Sequence, residues 1–197
     1  MSAGAPLVGR AVPDELARAT VLDREGRERP LASFWADGPC LLLFLRHFGC
    51  IGCAEQVTEL SPRLHELHDA GLRTVLVGNG APSFIDGFTQ RHRLDDKKVE
   101  IVTDPSLRAF RAMGLVRSAW ATVGARAMVE AIRAFTDGHR QPAVEGDRWQ
   151  QGGALLVDEH GRVARYHKNE SLGDHDRAAD LVDAALALLV RRSDVHV

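Results

Sequence analysis

Hydrophobic positions in this chain fall into short continuous runs, separated by stretches where they recur every three or four residues. Residues 17–22 (Ala-Arg-Ala-Thr-Val-Leu) read as a short strand closed by the turn Asp23-Arg24-Glu25-Gly26. After Gly38-Pro39 comes Cys40-Leu-Leu-Leu-Phe-Leu45, an unbroken apolar run that predicts a central strand buried on both faces. Beyond Gly49, Val57, Leu60, Leu64 and Leu67 keep the spacing of an amphipathic helix, which stops near Gly71. Arg73–Val77 predicts a second buried strand, ending at Gly78-Asn79-Gly80. A helix around 82–92, a strand at Val99–Thr103 and a helix opening at Pro105 follow. A further helical stretch covers about 119–134, and Thr136–Gln151 is polar and rich in turn formers. Ala154–Val157 and Val163–Tyr166 flank Asp158-Glu-His-Gly161 as an antiparallel hairpin. Asp176–Val190 predicts a closing helix. This order implies an α/β sandwich with a mixed central sheet and helices on both faces. No repeat or linker divides the 197 residues, so one domain is expected, with a helical and loop insert at about 119–151.

Composition narrows the class. With 45% hydrophobic and 26% charged residues the chain is ordinary globular protein, and its formal charge of −2 leaves no electrostatic footprint for nucleic acid or an anionic membrane. The longest apolar run, Ala184–Val190, is far short of the ~20 residues a spanning helix needs. Residues 1–10 lack a basic start followed by an apolar core, so a cytoplasmic protein is expected. Lysine occurs only at 97, 98 and 168, which reads as a coding bias.

The three cysteines cannot close a disulfide framework, yet two of them form Cys50-Ile51-Gly52-Cys53 where a predicted strand gives way to a helix. Unpaired backbone N–H groups and the positive end of the helix dipole favour a thiolate there. Cys50 is therefore expected to have a lowered pKa, about 5–7.5 against ~8.5 for a free thiol. Arg46 and His47 would add positive charge. Cys53, one turn on, is placed to attack a mixed disulfide or sulfenic acid formed at Cys50. Exposure and the dipole both favour Cys50 as the first attacker, because Cys53 would face inward.

Three other uses of the pair stay open. Half a zinc site needs two further ligands; Cys40 lies in a strand, where it reads as a core residue, and His65 and His68 lie on the following helix. The pair is alternatively structural, or belongs to a redox-sensing or binding module without turnover. His92, His139 and His196, like His65 and His68, read as solvated. Gly78-Asn79-Gly80 has the look of a phosphate-binding turn without the rest of a dinucleotide fingerprint. Gln150-Gln151-Gly152-Gly153 allows close backbone approach to something, or makes a tight turn. Trp120 and Trp149 flank the irregular segment as an apolar wall or as core.

Phe44-Leu-Arg-His-Phe-Gly-Cys-Ile-Gly-Cys53, followed by Ala-Glu-Gln-Val-Thr-Glu-Leu60, resembles the peroxiredoxin-like (AhpC/TSA) branch of the thioredoxin fold that carries Cys-x-x-Cys. Gly146-Asp147, Gln151-Gly152-Gly153 and Gly173-Asp174-His175 resemble that branch in the same order. The likeness spans roughly residues 8–190 and includes the prostamide/prostaglandin F synthase group. It implies a thioredoxin-like sandwich and a thiol-dependent oxidoreductase that reduces a peroxide, endoperoxide or similar oxidised small molecule. It implies catalytic roles for Cys50, Cys53, Arg46 and His47, and substrate contacts from Phe48, Gly49, Trp149, Gly152 and Gly153. No metal or bound cofactor is expected; electrons would come from a thioredoxin-type donor, and a homodimer stays open. The usual Pro-x-x-x-Thr-x-x-Cys departs here: matched on Cys53, it puts Cys50 at the threonine and Arg46 at the proline; matched on Cys50, it puts His47 and Leu43 there. The first match favours Cys53 as the peroxide-reactive sulfur. The family's supporting arginine falls on Gln151 or Gly152, and no thioredoxin-type proline precedes Ala154, which leaves a protein disulfide oxidoreductase as the competing enzyme reading.

Overall fold

The computed structural model describes residues 7–115, 117, 146–147, 149–169 and 176–195. In chain order its elements are α1 (Asp14–Ala17), β1 (Thr20–Leu22), β2 (Glu28–Pro30), β3 (Cys40–Phe44), α2 (Ile51–Leu60), α3 (Leu64–Asp69), β4 (Arg73–Gly78), α4 (Phe84–Arg91), β5 (Glu100–Thr103), α5 (Arg108–Ala112), β6 (Gly153–Val157), β7 (Val163–Lys168) and α6 (Ala178–Val195). The seven strands form one sheet in the order β2-β1-β5-β4-β3-β6-β7. The inner trio β3, β4 and β5 is parallel, and the outer pairings are antiparallel.

The apolar run of β3 explains the layering. Side chains alternate across a strand, so Leu41 and Leu43, with Leu45 beyond, enter the core shared with α2, α3, α4 and α6. Cys40, Leu42 and Phe44 enter the opposite core, against α1, the 3-10 turn Leu31–Phe34 and α5. There the rings of Phe44 and Phe110 meet edge to face, centroids 5.1 Å apart. Cys40 is fully buried on that face and burial pushes its thiol up, as its reading as a core residue requires. The fold is thus the expected α/β thioredoxin-like sandwich.

Several local expectations change. Residues 17–22 divide into the end of α1 and the strand β1. The helix predicted from Gly49 to Gly71 is interrupted by a 3-10 turn at Ser61–Arg63, where Pro62 cannot supply an N–H to a continuous ladder. The helix expected from Pro105 starts instead at Arg108. Asp104 explains the delay: its carboxylate accepts the Ser106 and Ala109 N–H groups at 3.0 and 2.7 Å, holding residues 105–107 as a turn. His92 is half-buried, its ring 4.5 Å from that of Phe88, and burial lowers its pKa. His65 and His68 are exposed. Trp120, His139, His196, Gly173-Asp174-His175 and most of the expected insert lie outside the described residues.

Candidate active site

The site forms where β3 ends. Leu45 still donates its N–H to Val77 of β4 at 2.9 Å, and the chain then turns, the Cys50 N–H reaching back to the His47 carbonyl at 3.1 Å. Cys50 is the N-cap of α2, with extended backbone (φ −77°, ψ 120°), and its sulfur accepts the Cys53 N–H at 3.4 Å. Ordinary N-caps use a side-chain oxygen for this bond; here a sulfur does it, which leaves the Cys50 sulfur on the positive end of a ten-residue helix.

The two free thiols are driven apart in acidity. Cys50 is lowered from 9.0 to about 7: the Cys53 thiol donates to it, the backbone N–H groups of Cys53 and Gly52 add to this, and Arg46 contributes its charge, together outweighing burial. Cys53 is raised well above the usual thiol value, because it keeps its proton for Cys50, is buried, and faces the Cys50 charge. Its sulfur also accepts the Arg46 N–H at 3.2 Å. The pair therefore gives up its first proton from Cys50. Exposure does not distinguish the sulfurs, contrary to expectation, since Cys50 is 7% and Cys53 6% exposed. Hydrogen bonding separates them.

Arg46 is buried. Its Nε donates to the Gln150 carbonyl at 3.3 Å, and its own carbonyl accepts from the Asn79 side chain. His47 is half-buried, and its carbonyl accepts the Cys50 N–H. Phe48 is core: its ring lies against Gly78, where a Cβ has no room, and 5.3 Å from the ring of Phe88, so it supports the loop from below and offers no face to a substrate. Gly49 lies half-buried between Phe48 and Cys50.

The glycines 152 and 153 do permit close approach, but to the chain's own backbone. A Cβ on Gly152 would stand 2.5 Å from the Phe44 carbonyl oxygen, and one on Gly153 2.5 Å from that of His167. Both glycines are required by strand packing. Trp149 is half-buried, with its N–H on the Asp147 carboxylate at 2.9 Å. Gln151 is fully buried and Gln150 nearly so, the Gln150 amide donating to the Leu115 carbonyl at 3.1 Å. Asn79 and Gln150, which join the thiol loop to this segment, went unassigned in the sequence. The signal was the glycine pair around Asn79 and its position at a strand end.

Beside the loop, Asn79, Ala81, Pro82, Phe84, Leu107 and Asp147 line much of a hollow of about 450 Å³. Among the described residues no group of three or more His, Cys, Asp or Glu is disposed to hold a metal, and no helix is long and apolar enough to cross a membrane.

This fold, with a capped thiol at the start of the helix after its central strand, defines a peroxiredoxin-like thioredoxin-fold protein. The chain matches the AhpC/TSA antioxidant enzyme family over residues 59–171, more than half its length, and it belongs to that family of thiol oxidoreductases. The match begins after Cys53, so the roles of the two cysteines rest on their geometry. The chain is similar to "Thioredoxin-like protein AAED1, chloroplastic" of Arabidopsis thaliana, 27% identical over 189 residues, covering 91% of this chain and 75% of the relative. It is also similar to a prostamide/prostaglandin F synthase of Salmo salar, 29% identical over 164 residues, covering 81% and 80%. The crystal structure of peroxidoxin BcpB from Mycobacterium tuberculosis superposes over 95% of this chain and 98% of that one, with a TM-score of 0.64 at 16% identity, a likeness of fold.

Proposed function

We propose that the protein reduces an organic peroxide or endoperoxide through a dithiol–disulfide cycle of Cys50 and Cys53. The observation that carries this reading is the Cys50 sulfur, held by the Cys53 N–H and thiol at the start of α2. The Cys50 thiolate attacks one oxygen of the O–O bond. That bond breaks, sulfur is oxidised, and the other oxygen takes a proton as a hydroxyl, released as an alcohol from a hydroperoxide and retained on the substrate from an endoperoxide. A hydroperoxide leaves Cys50 as sulfenic acid; an endoperoxide leaves it bonded through oxygen to the rest of the substrate. Cys53, deprotonating as it attacks, displaces water or the second hydroxyl and closes the disulfide. A thioredoxin-type dithiol then returns two electrons by exchange, in a reducing compartment such as the cytoplasm. No metal or bound cofactor enters the cycle.

Arg46 supplies positive charge where the thiolate forms, and its N–H on the Cys53 sulfur orients the resolving group. The mainly apolar hollow beside the loop suits the carbon body of an organic substrate.

The test is a coupled assay with thioredoxin, its reductase and NADPH, comparing hydrogen peroxide, an alkyl hydroperoxide, an endoperoxide and insulin. Catalytic consumption of an organic peroxide, lost in Cys50→Ser, is expected. Turnover of insulin alone would transfer the protein to disulfide exchange. A single oxidation without turnover on any substrate would make it a redox sensor.

A further inference from the structure

The turn Gly78-Asn79-Gly80 after β4 holds no phosphate fingerprint, yet Asn79 is buried at 4% exposure and fully engaged. Its Nδ2 donates to the Arg46 carbonyl in the thiol loop. Its Oδ1 accepts the Asp147 N–H at 2.8 Å. One amide therefore ties the end of β4 to the loop after β3 and to the segment before β6.

The neighbours are shaped around that amide. Gly146 has φ +128°, a conformation L side chains rarely adopt, and a Cβ there would run into the Asn79 Oδ1 and stand 3.1 Å from the His47 Cβ. Asp147 is held in turn by the Arg117 Nε at 2.6 Å. Three residues beyond Asp147 the chain reaches Gln150, whose carbonyl accepts the Arg46 Nε. Arg46 is thus held by its backbone through Asn79 and by its side chain through Gln150.

We propose that Asn79 is a positioning residue for the thiol pair: by fixing the Arg46 carbonyl against the turn at 146–147, it keeps the Arg46 N–H on the Cys53 sulfur and the guanidinium beside Cys50. The inference rests on Cys50 being the reactive sulfur, as above. The amide is required because each of its ends does a different task. Aspartate, of the same size, keeps the acceptor for Asp147 but has no donor for Arg46. Alanine loses both.

The test is the pH dependence of iodoacetamide alkylation at Cys50, read by mass spectrometry in a Cys40→Ser background, for Asn79, Asn79→Asp and Asn79→Ala, with thermal unfolding measured alongside. Both variants are expected to move the Cys50 inflection up by about one unit, which slows alkylation at pH 6 by about tenfold. In an Arg46→Met background Asn79→Ala is expected to move the inflection less than it does beside Arg46, since the guanidinium's share of the effect is gone while the backbone N–H on the Cys53 sulfur remains. An unmoved inflection in either folded variant overturns the proposal. So does loss of the fold in both, which would make Asn79 a residue of the scaffold. Alkylation needs no peroxide, so a protein without turnover on any substrate still answers this question.

Discussion

At the scale of single residues, the proposed chemistry rests on two sulfurs of nearly equal burial and opposite acidity. Alkylation of Cys50 in the reduced protein is expected to follow an inflection near 7. In Cys53→Ala it should move upward, because the thiol that contributes most to the lowering is gone. Stability must follow with a definite sign. Cys50 is an acid whose folded value lies below its ordinary one, so its stabilisation is present above about pH 9 and is lost as pH falls through about 7. Cys53 and Cys40, displaced the other way, oppose it at high pH. Reduced wild type should therefore gain stability over Cys50→Ser between pH 6.5 and 8.5, measured by urea titration; a flat difference would contradict the charge assignment. Cys53→Ser should stop the cycle after one attack and accumulate an adduct on Cys50, visible by mass. An adduct on Cys53 in Cys50→Ser would reverse the roles.

At the scale of elements, legibility tracked the amount of apolar surface each one buries. β3 and β4 are readable because their side chains are buried on both faces, from Cys40 to Phe44 and from Thr74 to Gly78. β2 was missed because Glu28-Arg29-Pro30 carries no apolar alternation; it is held by backbone pairing with β1. The start of α5 differs from its sequence signal because Pro105 advertises a helix while the Asp104 carboxylate holds a turn. Gly78 carries a similar tertiary message: its meaning is the Phe48 ring laid upon it, two residues before Cys50. Gly78→Ala must displace that ring. A cost of about 1–3 kcal/mol in stability is expected, as for other overpacked cores, together with slower Cys50 alkylation. A change in stability alone would mean that the loop is held independently of its floor.

At the scale of the whole molecule, the reactive loop is secured twice, by different parts of the chain. The sequence made Cys50, Cys53 and Arg46 legible because a dithiol at a strand–helix junction has a local explanation. Asn79 and Gln150 were not legible as partners, because they are brought to Arg46 by a sheet that pairs β3 with both β4 and β6. The second anchor lies at the far side of α2. Gln56 donates to the Asp176 carbonyl at 2.7 Å, and the Asp176 carboxylate, 5% exposed, is gripped by Arg165 of β7 through two bonds of 2.6 Å. This joins α2 to the approach to α6 and to the sheet edge. Arg165→Ala would leave a buried carboxylate without its cation, which costs about 3–5 kcal/mol in a fully buried pair. The cost should fall at or below the lower end of that range, since Arg165 is 35% exposed. Because the bonds of this anchor run from α2 to Asp176 and β7, the urea midpoint should fall while the Cys50 alkylation profile keeps its inflection. Asn79→Ala, by contrast, is expected to move the inflection, whatever it costs the midpoint. If Arg165→Ala shifted the inflection as well, the two anchors would be one cooperative unit, and the acidity of Cys50 would be a property of the whole helix α2 and not of the loop that precedes it.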